Sequence, residues 1–592
     1  MKTAGRLALQ QGIAASLALV LFGVAVYAPS FQNPFIWDDQ YLITDNHLIR
    51  SFAHLPTAFR QHLYYSTAGL SNFYRPMQIA LLMADWALWK TDPFGYHLTS
   101  FLTHLLCACA AYLVISSLFG RRGLAALVSG LFLVHPVNST VVYYISSRAD
   151  SQAAFGMLLA FWLFFSSERK VQQAPGAFRS GRGLSPVHVA VSQVEPMRYT
   201  VSLLGFTLAL LSKELAVILP VWLLASARLL GRRMVRWTIP FFAILGFYAV
   251  VRLTVLSFPS ATALTPPALG TRLLTTCEAF VRLIGLLVVP TQIHIEKSLP
   301  FSTGLFQPST FVSILALGAM GCFAWWVRRR SIICAFGLAW FLITLLPMAN
   351  LMPINATMAD HWLYLPSLGM FLAILGGLGD WIQKGPLPGQ RRWLRGASLL
   401  YAAAVIVYSA RTIRQNDVWK DPERFFQLAI QYSPGSFRAH NELGVIHFER
   451  QQFDRAIRHF QQAIAINPAF DQAYDNLGTA YDHVGELDQA IASHKTALQL
   501  NPYNPKTYNN LGNAYFKSNQ LDKAIEAYQR ALQLNPQYKA VYNNLGAVYY
   551  RKGEFDQAKA FWEKALKIDP AFQQAADNLH LLRRIQEGRS SR

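Results

Sequence analysis

Apolar residues fall in long runs over the first 410 positions, and after about residue 420 they give way to a short-period amphipathic pattern. A bilayer core about 30 Å thick is crossed by about 20 helical residues. Runs of that kind lie at 7–28 and near 98–119, 123–143, 151–167, 199–211, 215–230, 237–256, 311–327, 331–349, 365–383 and 396–410, eleven predicted spans. The first ends in Val26-Tyr27-Ala28, which resembles a signal cleavage site, but it is longer than a usual signal core and is expected to be an uncleaved anchor. A further run, 272–289, carries Arg272, Glu278 and Arg282, the last two one helical turn apart. Counting it as a crossing would carry Arg328-Arg329-Arg330 to the far side, so it is expected to be re-entrant or interfacial and held against protein. With the N-terminus inside and eleven crossings, cytoplasmic loops and ends hold 20 basic and 3 acidic residues, and the outer loops hold 14 and 13. Retention of basic residues on the cytoplasmic side produces that asymmetry, and it puts the C-terminal part outside.

The tail repeats with a period of 34. Leu-Gly recurs at Leu443-Gly444, Leu477-Gly478, Leu511-Gly512 and Leu545-Gly546, and Pro468, Pro502, Pro536 and Pro570 keep the same step. Small residues recur at Ala456, Ala490, Ala524 and Ala558 and again at Ala463, Ala497, Ala531 and Ala565, where two helices must approach closely. This is the tetratricopeptide pattern. The expected architecture is all-α: a polytopic membrane domain over 1–410, a connector with a half repeat over 411–434, and a solenoid over 435–592 of four full repeats and a capping helix. One inner-helix position reads Asn476, Asn510 and Asn544, with Glu442 in the first repeat. Carboxamides both donate and accept, so such a row can grip a peptide backbone without reading side chains. It resembles the asparagine ladder of the nucleocytoplasmic O-GlcNAc transferase, although Asn before Leu-Gly is also common in these repeats for packing reasons.

Composition agrees with this division: 53% of the chain is AVILMFWYC and only 14% is charged, too apolar for one soluble protein. The net charge of +21 would suggest nucleic acid, but from residue 435 onward there are 19 basic and 16 acidic residues, so the excess lies in the apolar part. Nucleic acid is therefore excluded as a partner, and membrane lipids take its place. The five cysteines all sit in apolar runs and imply neither a disulfide framework nor a thiolate metal site.

Ionisable groups crowded against a membrane are costly and mark candidate chemistry. By the topology above, several meet the outer face: Asp38-Asp39 after the anchor helix, Tyr74-Arg75-Pro76, Gly95-Tyr96-His97, His135-Pro136, Arg148 with Asp150, Lys213-Glu214, and Asp360-His361 with Tyr364. One of Asp38 and Asp39 could serve as a general base while the other positions it or holds a cation. Arg75, Arg148, Lys213 and His361, together with Arg252 and Arg282, suit an anionic ligand such as a lipid phosphate. Taken singly, each has a plainer role: Arg148–Asp150 and Lys213–Glu214 as loop-holding ion pairs, and His97 as a helix cap.

These blocks, Trp37-Asp38-Asp39 with Asp45-Asn46, Tyr74-Arg75-Pro76, Gly95-Tyr96-His97-Leu98, His135-Pro136-Val137, Ser147-Arg148-Ala149-Asp150, Lys213-Glu214 and Leu363-Tyr364-Leu365-Pro366-Ser367, resemble in order the signatures of the transmembrane and tetratricopeptide-repeat-containing protein O-mannosyltransferases of the GT-C superfamily. The resemblance covers essentially the whole chain. It departs at Asp360-His361, where the family commonly has Glu-Arg, and in having only four full repeats, which points to a bacterial member. What it implies is inverting transfer of a sugar, mannose in the family, from a polyprenyl-phosphate donor to Ser/Thr of exported polypeptide held on the concave face of the repeats. Asp38 or Asp39 would be the base, with Arg75, Arg148, Lys213 and His361 at the donor phosphate and His97, His135, Asp150, Glu214 and Tyr364 in support. No dense metal cage is visible, and the two aspartates leave room for a divalent cation. The rival expectations are transfer to a lipid or polysaccharide acceptor, and a non-catalytic membrane scaffold that binds envelope proteins through its repeats. The expected location is a bacterial inner membrane with periplasmic repeats, the alternative being the endoplasmic reticulum with the repeats in the lumen.

Overall fold

The computed structural model describes residues 17–65, 72–169, 193–256, 267–351 apart from 292, 295, 296, 298 and 303, 357–384 and 390–590. Positions 7–16 of the first expected span lie outside these. Two compact units divide between Pro422 and Glu423, and the last helix of the first, Gln390–Trp419, runs through the start of the expected connector.

In the first unit, α1 (Leu17–Ser30) leads to a loop of short turns, then α2 (Pro76–Trp89), α3 (Pro93–Phe119), α4 (Arg122–Val134), α5 (Arg148–Ser166), α6 (Pro196–Ser212), α7 (Leu219–Leu229), α8 (Ile239–Thr254), α9 (Leu269–Val288), α10 (Pro308–Val327), α11 (Ile332–Leu345), α12 (Tyr364–Lys384) and α13 (Gln390–Trp419). A two-residue antiparallel pair, Glu168–Arg169 with Gln193–Val194, is a minor addition. Among the described residues, six helices are long and apolar enough to cross a bilayer, or seven if Arg122–Val134 and Pro136–Tyr143 form one bent span. α6, α7 and α11, which correspond to three expected spans, have 17, 11 and 14 residues. α8, α10 and α13 leave large apolar side chains such as Phe247, Leu253, Trp325, Leu399 and Ile406 exposed, a surface that suits lipid and not water. The first unit is that of a membrane protein.

Local chemistry sets the ends of the helices that carry the candidate groups. Asp92 caps α3, its side chain accepting from the Phe94 N–H at 3.0 Å with Pro93 in the first turn, and Gly120 ends the helix at φ +69°. Between α4 and α5 the chain folds through short turns in which every residue from His135 to Asp150 is buried, so α5 starts deep inside the bundle. Small residues bring helices into backbone contact: a Cβ on Gly156 of α5 would lie 3.0 Å from the Gly205 carbonyl of α6, and one on Gly337 of α11 would lie 2.5 Å from the Ala373 nitrogen of α12. The α5–α6 approach carries the end of α6, with Lys213, towards the first turn of α5. α9 buries Thr275, Glu278, Ala279, Leu283 and Leu287 and exposes Arg282, so the side chains expected to form a pair on one face part company. Thr310 takes the Glu278 carboxylate instead.

The second unit opens with α14 (Pro422–Tyr432) and continues as antiparallel pairs: α15 (Phe437–Glu449) with α16 (Phe453–Ile466), α17 (Asp471–Val484) with α18 (Leu487–Leu500), α19 (Pro505–Lys517) with α20 (Leu521–Leu534), and α21 (Lys539–Arg551) with α22 (Phe555–Ile568), ending in α23 (Gln573–Ser590). The periodic alanines are buried at the helix contacts. Each Leu-Gly glycine faces a large ring 16 residues on, Gly444 on Phe460, Gly478 on His494, Gly512 on Tyr528 and Gly546 on Trp562, leaving no room for a Cβ.

Candidate functional site

The two adjacent aspartates are held by a strained backbone. Trp37, just before them, has φ +58°, a left-handed conformation that a bulky residue adopts only when its surroundings enforce it. Its side chain is buried, and Asp38 and Asp39 then point to different environments. Asp39 is wholly buried, with Oδ1 accepting from the Ser146 N–H at 2.7 Å and Oδ2 from the Ile145 N–H at 3.3 Å. It thereby ties the outer loop to the turn that feeds α5, and the Gln78 side chain donates to the Ser146 carbonyl at 2.9 Å to close that tie. Burial pushes the Asp39 carboxyl up to about 8, against the pull of these N–H donors. Asp38 is half-buried and, with Asp39, lies close enough to Tyr144 to raise its hydroxyl's affinity for the proton.

The cations carry partners. Arg75, at the start of α2, donates through Nε and Nη2 to Glu214 Oε2, both at 3.1 Å, with its guanidinium 4.6 Å from the Phe73 ring centre. Lys213 Nζ lies 2.7 Å from Asp150 Oδ1. Arg148 is fully buried and bonds Asp85 Oδ2 at 2.5 Å, while Thr99 donates to the other oxygen of Asp85. Asp360 is paired with Lys297 at 2.8 Å and accepts the His294 N–H. The loop-holding pairs expected from adjacency, Arg148–Asp150 and Lys213–Glu214, are therefore replaced by longer-range ones, because helix packing and not sequence proximity decides which charges meet.

A line of electrostatic neighbours joins the acids to the cations. Tyr144 feels Asp38, Asp39 and Tyr64; Arg75 feels Tyr64, Asp150 and Glu214; His361 feels Asp150, Lys213 and Arg75. Contacts join Arg75 to Glu214 and Lys213 to Asp150, with His361 within electrostatic reach of both pairs; Asp38 and Asp39 are linked to them only through the fields of Tyr144 and Tyr64. Other expected members serve the scaffold. His97 has both ring nitrogens on carbonyls, Val142 at 2.8 Å and Asn33 at 3.1 Å. His135 accepts from the Val137 N–H and meets the Leu287 carbonyl of α9 at 3.2 Å. The Tyr364 hydroxyl lies 2.7 Å from His104 Nδ1. Arg252 bonds the main chain and side chain of Asn72. Asp85, Tyr144, Tyr248 and Lys297 escaped the sequence reading; Asp85 alone left a signal, an acid in the otherwise apolar α2. Among the described residues no three His, Cys, Asp or Glu side chains group as a metal cage.

In the repeats, the carboxamides of the expected ladder join neighbouring units. Asn476 Nδ2 donates to Asn441 Oδ1 at 2.9 Å, Asn510 to the Asp475 carboxylate at 3.3 Å, and Asn544 to Asn509 and Asn513 at 3.0 Å; Asn578 in α23 continues the row onto Asn543.

A helical membrane unit followed by a repeat solenoid is the class these features define. Tetratricopeptide repeat models match residues 437–470, 459–492 and 540–572, and TPR repeat models match 484–519 and 512–553. The chain is similar to protein O-mannosyl-transferase TMTC1 of Homo sapiens, 23% identical over 485 residues covering 72% of this chain and 52% of that protein. It is equally similar to protein O-mannosyl-transferase Tmtc3 of Drosophila melanogaster, 23% over 520 residues, covering 76% and 54%. The chain spans about half the length of these relatives, and they are of the kind that the signature blocks resemble. A crystal structure of MamA aligns with 27% of the chain and 93% of its own, at 25% identity and a TM-score of 0.25.

Proposed function

We propose that this protein is an integral-membrane glycosyltransferase that moves a sugar, mannose by analogy with the names of its relatives, from a polyprenyl-phosphate donor to Ser/Thr hydroxyls of proteins outside the cytoplasm. The carrying observation is Asp38: half-buried beside the wholly buried Asp39, near the Tyr144 hydroxyl, and linked to Arg75 by the field of Tyr64 that both Tyr144 and Arg75 feel. In an inverting displacement the acceptor oxygen bonds to the anomeric carbon as the bond from that carbon to the phosphate oxygen breaks, and the acceptor proton passes to Asp38. A carboxylate is a weak base for an alcohol, so proton transfer runs late, as oxocarbenium character develops and the hydroxyl acidifies. Asp39 holds the loop. Arg75 is the cation best placed for a lipid phosphate, because Nε and Nη2 both engage Glu214 Oε2 and Nη1 can meet the phosphate without giving up that pair. Arg148 is fully buried and meets Asp85 through Nη1 alone, with Nε and Nη2 buried and without a partner among the described residues. The eleven-crossing topology and the periplasmic repeats belong to this proposal.

The test is transfer from polyprenyl-phosphate mannose to a peptide by the purified protein, with Asp38→Asn expected to cost about 10²- to 10⁴-fold in rate at unchanged yield. The pH profile separates the two acids. Asp39 holds its proton until about pH 8, so a rate that depended on its ionised form would climb through that value. A profile level through pH 8 rules out Asp39 as the base, and full activity of Asp38→Asn removes the general-base assignment to that residue.

A further inference from the structure

Around Arg75 and Lys213 lie buried polar atoms that the protein leaves without hydrogen-bond partners among the described residues: Asp150 Oδ2, Glu214 Oε1, His361 Nδ1 and the Tyr248 hydroxyl. Glu214 and Asp150 are fixed there by their ion pairs with Arg75 and Lys213, and Tyr248 and His361 lie within electrostatic reach of those pairs. Tyr248, on α8, feels Glu214 and Arg75; His361 feels Asp150, Lys213 and Arg75. A buried polar atom without a partner costs about 1–3 kcal/mol, and four in one place call for a common explanation.

A phosphate does not supply it. Phosphate oxygens only accept, whereas Asp150 Oδ2 and Glu214 Oε1 are carboxylate oxygens that need donors. The formal charge of the group is also balanced, Arg75 and Lys213 against Glu214 and Asp150, so it exerts little net pull on the phosphodiester anion of the donor. What fits is a neutral partner rich in groups that both donate and accept. Sugar hydroxyls do both, donating to the two carboxylate oxygens and to His361 Nδ1 and accepting from Tyr248.

We infer that Asp150, Glu214, Tyr248 and His361 form the glycosyl subsite, which reads the hydroxyls of the transferred sugar and not the phosphate of its carrier. This rests on the donor reading above and adds to it Tyr248, a residue no signature block contains. Arg75 and Lys213 then position the two carboxylates, each holding one oxygen so that the other is aimed at the ligand.

The experiment measures binding of two radiolabelled lipids, polyprenyl phosphate and polyprenyl-phosphate mannose, to the whole protein in nanodiscs. Tyr248→Phe deletes one hydroxyl and little else. It is expected to weaken binding of the mannosyl lipid about three- to tenfold, one hydrogen bond to a neutral group, and to shift polyprenyl phosphate less than twofold. Asp150→Asn, which keeps shape and turns an acceptor into a donor, is expected to act in the same direction more strongly. Equal losses for both lipids, or none for either, overturn the subsite while the donor reading stands. A wild-type protein that binds neither lipid overturns the donor reading itself and the subsite with it, and that result is recognised without any variant.

Discussion

In the repeat unit, polar side chains meet at constant separations: Asn476 with Asn441, Asn510 with Asp475, Asn544 with Asn509 and Asn578 with Asn543 are all 35 residues apart. In the membrane unit, Arg148 meets Asp85 and Lys213 meets Asp150 across 63 residues, and Arg75 meets Glu214 across 139. A solenoid packs each unit only on its neighbours, so one period fixes all its contacts. A helical bundle in lipid has no such rule; its ion pairs are chosen by which helix ends are carried to the same depth. The difference predicts that damage spreads differently in the two units.

The largest effect is expected where a buried charge loses its partner. Asp85→Asn leaves the Arg148 guanidinium inside the bundle with no counter-charge, a cost of about 3–5 kcal/mol. Thermal unfolding in detergent should show the membrane unit lost while the repeat unit melts unchanged. Replacing both partners by apolar residues of similar size, Asp85→Leu with Arg148→Met, should restore most of the loss. A single variant as stable as the parent would show that the pair lies in a wetter place than its burial indicates.

That pair also marks the limit of what could be read in advance. The all-α architecture and the repeats were legible, because apolar run length and the 34-residue period are local properties. Partner choice was not: Arg148 was assigned to Asp150 by adjacency, yet the first turn of α5 points Arg148 at α2 and leaves Asp150 to Lys213 from the end of α6. Even within the repeats the reading was incomplete. The rings that cover the glycines, Phe460, His494, Tyr528 and Trp562, escaped notice because their identity varies while only their size and register persist.

A smaller and strictly local effect follows from those rings. In Gly512→Ala the new methyl would lie 2.5 Å from Tyr528 Cε1, and overpacking of this kind costs about 1–3 kcal/mol. Hydrogen exchange should speed up in α19 and α20 and their neighbours and stay unchanged in α15 and α16. Uniform acceleration through the whole solenoid would mean that the repeats unfold as one block and that the nearest-neighbour account is wrong.

The smallest effects concern the asparagine row, and they decide what it is for. Each Nδ2 is engaged with the preceding repeat, so every single change to Ala should cost about 0.5–1.5 kcal/mol of repeat stability. The Oδ1 atoms of Asn476, Asn510 and Asn544 remain as acceptors on half-buried side chains, able to take N–H groups of a bound chain. If they do, the proposed transfer predicts that the triple change to Ala raises KM for a protein acceptor several-fold and leaves hydrolysis of the donor to water untouched. The control is Gly444→Ala, which overpacks Phe460 in the same solenoid and leaves the hydrogen bonds of the row in place. If it raises KM as much as the triple change does, the carboxamides act only as clamps between repeats; if KM follows the row and not stability, the clamp and the grip are the same side chain used from its two ends.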